Sequence, residues 1–151
     1  MKKIFIGLCT LFMCTLCLTG CSTKATYKEG TYNGTATDTY GGQENVASAE
    51  VVIDANGKIT SVNLDTTYTT SDGVQTTKKA LGNDYNMKTY NPSAAGEWFE
   101  QAKALEDAVV EHQNLDFIKL DDEGKTDAVS GCTINISALV EALNNALEQA
   151  K

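Results

Sequence analysis

The sequence predicts an α+β fold, a small antiparallel sheet with helices packed on one side. Three observations predict it. Ala47, Ala49, Val51 and Ile53 alternate with Ser48, Glu50 and Val52, the two-residue period of a strand with one small apolar face. Asn56-Gly57 follows at once, and because both residues tolerate positive φ it signals a tight hairpin returning through Ile59 to Leu64. Downstream the period changes to that of a helix: Trp98, Ala102, Leu105 and Val109 share one face, as do Ile136, Val140, Leu143 and Leu147. Strands first and helices afterwards, within 151 residues, make one domain of the α+β class.

The chain opens with an address. Lys2 and Lys3 precede an almost unbroken apolar run from Ile4 to Leu18, the charged and apolar regions of a secretory signal. That run is shorter than the roughly 20 residues a membrane span needs. Leu18-Thr19-Gly20-Cys21 then resembles the bacterial lipobox, which implies cleavage before Cys21 and a diacylglycerol thioether on its thiol. The expected division is a lipoprotein signal peptide over residues 1–20, a lipidated tether over 21–28 and a folded domain over 29–151. Cleavage removes Cys9, Cys14, Cys17 and two lysines, so the net charge goes from −8 to −10. Cys132 is then the one free thiol, no internal disulfide can form, and packing alone must hold the domain.

Within the domain, Tyr27 to Thr37 mixes Tyr and Thr with glycines and reads as the first strand, broken at Tyr40-Gly41-Gly42. Ile59 is out of phase with Val62 and Leu64, which predicts a bulge or an early strand edge where the second hairpin strand begins. Thr66 to Lys88 has an Asp72-Gly73 turn but no clean period; Tyr85, Met87 and the following Tyr90 predict a connection folded over part of the core. Asn91-Pro92 supplies a cap and a first helical residue, so a helix is predicted from there to His112 or Gln113. Its acids Glu97, Glu100, Glu106 and Glu111 mostly face away, and His112 reads as a last-turn residue facing the helix carbonyls. Leu115 to Leu120 is predicted as a short strand. Asp121 to Lys125 is predicted as a solvated turn, since the alternating ligand spacing of a calcium loop is absent. The final helix is predicted from Asn135 to Ala150, capped by Asn135 or Thr133.

Composition narrows the function. All twelve basic residues are lysines, and twenty acids bring the pI to about 4.5, which excludes a phosphate-tracking nucleic-acid surface. A single histidine excludes His-rich metal sites and most hydrolase triads.

The chemistry-bearing stretch is Asp127-Ala128-Val129-Ser130-Gly131-Cys132-Thr133. At the start of a helix, outward N–H groups and the macrodipole favour an anion such as phosphate, and glycine lets it approach the main chain. Ser130 and Thr133 serve equally well there as plain helix caps. With GTYNGTA, VVIDANGKITSV and DAVSGCT in that order before a terminal helix, the chain resembles an FMN-binding domain. Such domains are found in sodium-pumping quinone reductase subunits and in lipid-anchored extracellular electron-transfer proteins. The resemblance implies FMN held as a phosphoester on Thr133, attached from FAD by a flavin transferase, with Gly131, Ser130 and Asp127 at the motif's other fixed places. Cys132 stands where that family usually has alanine. A body of net charge −10 without arginine has few means of ion-pairing a phosphate dianion, which favours covalent over non-covalent FMN. Trp98, Phe99, Tyr85 and Tyr90 are candidates for an aromatic wall against the isoalloxazine.

The expectation is therefore a membrane-anchored, extracytoplasmic electron carrier, more a substrate of the transferase than an enzyme, with a quinone-linked reductase as electron donor. The alternative, motivated by Cys132 and the unassigned middle segment, is a cofactor-free lipoprotein that uses the same fold to bind a partner or a cell-envelope component.

Overall fold

The structure, a computed structural model, describes residues 27–40 and 42–151. The signal peptide, Cys21 and most of the expected tether lie outside them. Among the described residues, four strands form an antiparallel sheet in the order β1 (Gly30–Tyr40), β2 (Gln43–Ile53), β3 (Ile59–Thr69) and β4 (Gln75–Thr77). Three single turns follow: α1 (Lys78–Leu81), a 3-10 turn (Gly82–Tyr85) and α2 (Met87–Tyr90). Two longer helices, α3 (Trp98–His112) and α4 (Ser137–Gln149), complete the fold.

Alternation sets the layers. Ala47, Ala49, Val51 and Ile53 of β2 and Val62, Leu64 and Thr66 of β3 are all buried on one face of the sheet. The opposite face carries exposed Thr31, Thr35, Glu50 and Asn63. Helices α3 and α4 both pack on the apolar face, α4 across β1 and β2 and α3 along β3. The α+β expectation therefore holds, with the helices on one side. Gly34 of β1 pairs with Ala49, and the two small residues let α4 come close: a Cβ added at Gly34 would lie 2.0 Å from the Ala142 carbonyl oxygen.

Both helices also close the sheet edges, where unpaired strand groups would otherwise invite another chain. Along β3, the Gln113 amide accepts from Ile59 N–H (2.9 Å) and donates to Ile59 C=O (2.8 Å). Farther along, Glu106 accepts from Leu64 N–H (2.8 Å). Along β1, Asn145 donates to Thr35 C=O (2.9 Å) and Gln149 to Asn33 C=O (2.8 Å). Glu106 is thus buried, paired with Lys79 at 2.6 Å, and does not face away as its place in the acidic pattern implied.

Other expectations need correction. The first strand begins and ends three residues later than predicted, because Tyr27 packs on the core and Lys28 N–H donates to Ala150 C=O (2.8 Å). These last two tether residues are part of the folded body. The second hairpin is joined by Asp54–Lys58, with Gly57 alone at positive φ, so it is longer than the two-residue turn expected; the bulge falls where predicted, between Val52 and Ile53. Thr66 to Thr77, read as a connection, continues β3 and folds back as β4.

Asn91-Pro92 does not start α3. Asn91 Oδ1 instead accepts from Ser93 N–H in a turn, and α3 starts after Glu97, whose N–H donates to Glu100 Oε2 (2.8 Å) in half of a capping box. Leu115–Leu120 forms no strand: Ile118 N–H closes a turn on Leu115 C=O, and with α3 lying along β3 the segment has no sheet edge to join. His112 ends α3 as expected and stacks on Phe117, with ring centroids 4.0 Å apart.

Candidate functional site

The sequence motif forms a turn ahead of α4 and does not open that helix. Cys132 N–H donates to Val129 C=O (3.2 Å), and Gly131 takes the third turn position at φ +82°, a value that strains any residue with a Cβ. The chain then alternates. Cys132 points into the core at 3% exposure, between Val129 and Ile136 in sequence and in the same apolar cluster. Thr133 points outward. Burial raises the Cys132 thiol above its ordinary ionisation range, partly opposed by the Ile134 N–H, so it stays a neutral, small hydrophobe.

Thr133 is held by α3 and its approach. Its hydroxyl donates to Gln101 Oε1 (3.0 Å), its own N–H donates to the same oxygen (2.8 Å), and Ala95 N–H donates to its Oγ1 (3.3 Å). The expectation that Ser130 and Thr133 cap the last helix is overturned, because the motif lies ahead of that helix and does not form its first turn. That helix begins at Ser137, whose N–H is accepted by Asn135 Oδ1 (2.9 Å).

Thr133 borders a cavity of about 390 Å³, within the roughly 300–1,000 Å³ range of small-molecule sites. The cavity lies where the C-terminal ends of β1 and β3 meet α1, α2 and the starts of α3 and α4. Its aromatic surface comes from Tyr68, Tyr85, Trp98 and Tyr90. Tyr68 and Tyr85 meet edge to face at 5.2 Å, and Trp98 is buried to 3%, so these three are fixed walls. Tyr90 is 85% exposed and stands at the rim. The segment carrying Met87 and Tyr90 is fastened by Glu97, which accepts from the Met87 and Lys88 N–H groups (2.8 and 3.2 Å).

Three of the four predicted wall residues, Trp98, Tyr85 and Tyr90, are thereby brought together with Thr133. Phe99 is not: it sits on the neighbouring face of α3, half-buried against the core. Gly131 shapes the turn, while Ser130 and Asp127 are exposed and do not line the cavity.

Besides the wall residue Tyr68, sequence reasoning missed four participants. Lys78 is buried, pairs with Asp38 at 3.1 Å, and lies 5.9 Å from the Tyr85 ring centre and 5.7 Å from that of Trp98. Lys125 also lines the cavity, with Glu123 as its partner at 2.6 Å. The charged residues lining this cavity are thus Lys78, Lys125 and Asp38, and each lysine is already paired with a carboxylate. The fourth is Gln101, a fully buried polar residue on the apolar stripe of α3, three places after Trp98. That interruption was its legible signal; the lysines had none, lying in segments without a period.

Chemically, the arrangement offers an aromatic-lined cavity, nearby cations and, at its edge, a Thr133 hydroxyl held by Gln101 and the Ala95 N–H. Searches of the curated proteins and of the solved structures give no match. The model of a family described as "FMN-binding domain" matches residues 40–148, which takes in Thr133 and all of the cavity lining but Asp38 and Thr39, and leaves out nearly all of β1. The chain belongs to the FMN-binding domain family.

Proposed function

We propose that this FMN-binding domain carries its FMN as a phosphoester on Thr133 and serves as a lipid-anchored, extracytoplasmic electron carrier. The observation that carries the reading is the placement of exposed Thr133 at the rim of an aromatic cavity, its hydroxyl oriented by two hydrogen bonds and its N–H held by a third. The residues present fit the group. Tyr68, Tyr85 and Trp98 offer ring faces and edges to a planar heterocycle, and Lys78 and Lys125 offer positive charge to a phosphate or to a reduced ring. When bound, the isoalloxazine supplies the electron chemistry, and the protein supplies position and field.

The chain's own residues have separable tasks. Gly131 turns the backbone so that Thr133 faces out while Cys132 faces in. Buried Trp98 and half-buried Tyr68 and Tyr85 form one side of the slot. Exposed Tyr90 leaves the other side open, as exchange of electrons with a partner requires. The body joins its tether at Tyr27, beside the C-terminal end of α4, whereas the cavity lies at that helix's N-terminal end. Thirteen helical residues separate the two by about 20 Å. An anchor at Cys21 thus holds the cavity away from the bilayer, toward partners outside the cell, which suits a donor such as a quinone-linked reductase with its own extramembrane face.

The test is the intact mass and in-gel flavin fluorescence of the exported protein, co-expressed with a flavin transferase. A gain of one FMN less one water, absent in Thr133→Val, is expected. An unmodified, non-fluorescent wild type would overturn covalent attachment. Loss of membrane fractionation in Cys21→Ser tests the anchor separately.

A further inference from the structure

The hydrogen bonds around Thr133 carry the reading one step further, and the inference rests on attachment at that residue. We infer that Gln101 is a positioning residue for flavin attachment: it fixes the Thr133 hydroxyl so that a single lone pair is left free to attack.

Donors and acceptors can be counted atom by atom. The Gln101 side chain is fully buried, and its partners hold it still at both ends of the amide. Its Nε2 donates to Gly96 C=O (2.8 Å) and to Met87 Sδ (3.3 Å), which ties it to the start of α3 and to the cavity wall. Its Oε1 receives both donors of Thr133, the N–H at 2.8 Å and the hydroxyl at 3.0 Å. A hydroxyl has one proton and two lone pairs. Here the proton is committed to Gln101 and one lone pair to the Ala95 N–H. The remaining lone pair is the nucleophile, and its direction is set before any partner arrives. Preorganisation of this kind lowers the barrier by removing rotational freedom from the reacting group.

In the attachment step the Thr133 Oγ1–P bond forms as the pyrophosphate P–O bond of FAD breaks. AMP leaves, and as the Oγ1–P bond forms the hydroxyl proton is released from its bond to Gln101 Oε1 and passes to a base of the transferase. A glutamine carbonyl is too weak a base to take that proton, so Gln101 orients the hydroxyl and does not deprotonate it. After attachment Oγ1 has no proton to donate, but Gln101 still holds the Thr133 N–H, so the ester oxygen remains at the same place at the cavity edge.

A buried glutamine could instead do no more than tie the loop to α3. The two roles separate in the kinetics of modification, with the apo-protein as substrate and FAD and transferase supplied. Gln101→Met has a similar length and replaces the amide oxygen by a thioether sulfur, which is only a weak acceptor. It is expected to lower the rate at saturating protein by about 10- to 100-fold, with KM changed by less than about threefold. Gln101→Glu keeps an oxygen for the hydroxyl but adds a titrating group. Its rate relative to wild type is expected to rise as that carboxyl ionises, a pH term wild type lacks. Thermal melts confirm that each variant is folded at the assay temperature. A folded Gln101→Met modified at the wild-type saturating rate overturns the inference. If that variant does not fold, a flat Gln101→Glu ratio across pH overturns it instead. A wild type that takes no flavin removes attachment and this inference together, whereas modified wild type with indifferent Gln101 variants removes the inference alone.

Discussion

Gly34→Ala is a small change with a sign that depends on the whole fold. In a strand without close neighbours, replacing glycine by alanine adds about 0.5–1 kcal/mol of stability, because the unfolded chain loses freedom. Here the added Cβ would stand 2.0 Å from the Ala142 carbonyl oxygen and 2.5 Å from Ala146 N, both backbone atoms of α4. Ordinary contact begins near 3.4 Å, so α4 must move off β1 by about 1.4 Å. A gap of 0.5–1 Å already forfeits a quarter to a half of each dispersion contact. The affected contacts include Ala47, Ala49, Ala142, Leu143 and Ala146, all within 2% of complete burial. Overpacking of this kind costs roughly 1–3 kcal/mol, and a clash with backbone puts it at the upper end. Urea unfolding followed by the fluorescence of Trp98, the single tryptophan, reads the effect. With a slope of roughly 1–3 kcal/mol per molar urea, a cost near 3 kcal/mol lowers the midpoint by about 1–3 M. An unchanged or raised midpoint would refute the close approach of α4 to β1. It would also leave the small residues on that face without a physical reason.

Other substitutions test the site. Gly131→Ala has room for its methyl, the nearest atom being Ala104 Cβ at 3.9 Å, so its cost is backbone strain alone, about 1–2 kcal/mol by urea midpoint; Gly131→Asn costs less. Cys132→Ala changes stability by under about 1.5 kcal/mol and leaves flavin attachment intact by intact mass. The same thiol has a pH signature: its folded pKa is raised, so the native state keeps the proton that the unfolded state loses. Its contribution is full below pH ~8.5, where an ordinary thiol ionises, and is lost as pH rises further; stability curves of wild type and Cys132→Ala should diverge only there. Lys78→Met takes a cation from the cavity and should lower the reduction potential of the bound flavin by roughly tens of millivolts in a spectroelectrochemical titration.

The legible parts of this protein were those with a period. Ala47 to Ile53 and the α3 stripe Trp98, Ala102, Leu105 and Val109 fall in the core as their spacing implies. The bulge at Ile59 was visible as a phase error. Where tertiary contacts override local signals, the reading failed. Asn91-Pro92 has the chemistry of a helix start, but Asn91 spends its side chain on a turn, and the helix waits for Glu97 and its partner Glu100. Glu106 looks like one acid among several on a solvated face; only the edge N–H of Leu64, 42 residues earlier, explains its burial. Much of the site was hidden for the same reason. Lys78 and Thr133 are 55 positions apart in sequence, and no local pattern brings a lysine and a threonine to one cavity.

The departure at Cys132 was the strongest sequence argument for a domain that has lost its flavin, and the alternation of the turn weakens it. Residues 132 and 133 face opposite ways, so what occupies position 132 is judged by the core and what occupies 133 by the cavity. Alanine and cysteine are both small and apolar, and either fills a buried place between Val129 and Ile136 without disturbing the Thr133 hydroxyl. A thiol facing the cavity would have competed with that hydroxyl as a nucleophile; a buried thiol with raised pKa does not. The pressure on this motif therefore separates into two demands that happen to be adjacent in sequence: volume at one residue and an oriented oxygen at the next. Substituting Cys132 by Leu should thus disturb packing first and attachment only through it, while Thr133→Ser, which keeps the oxygen and its partners, should still accept flavin.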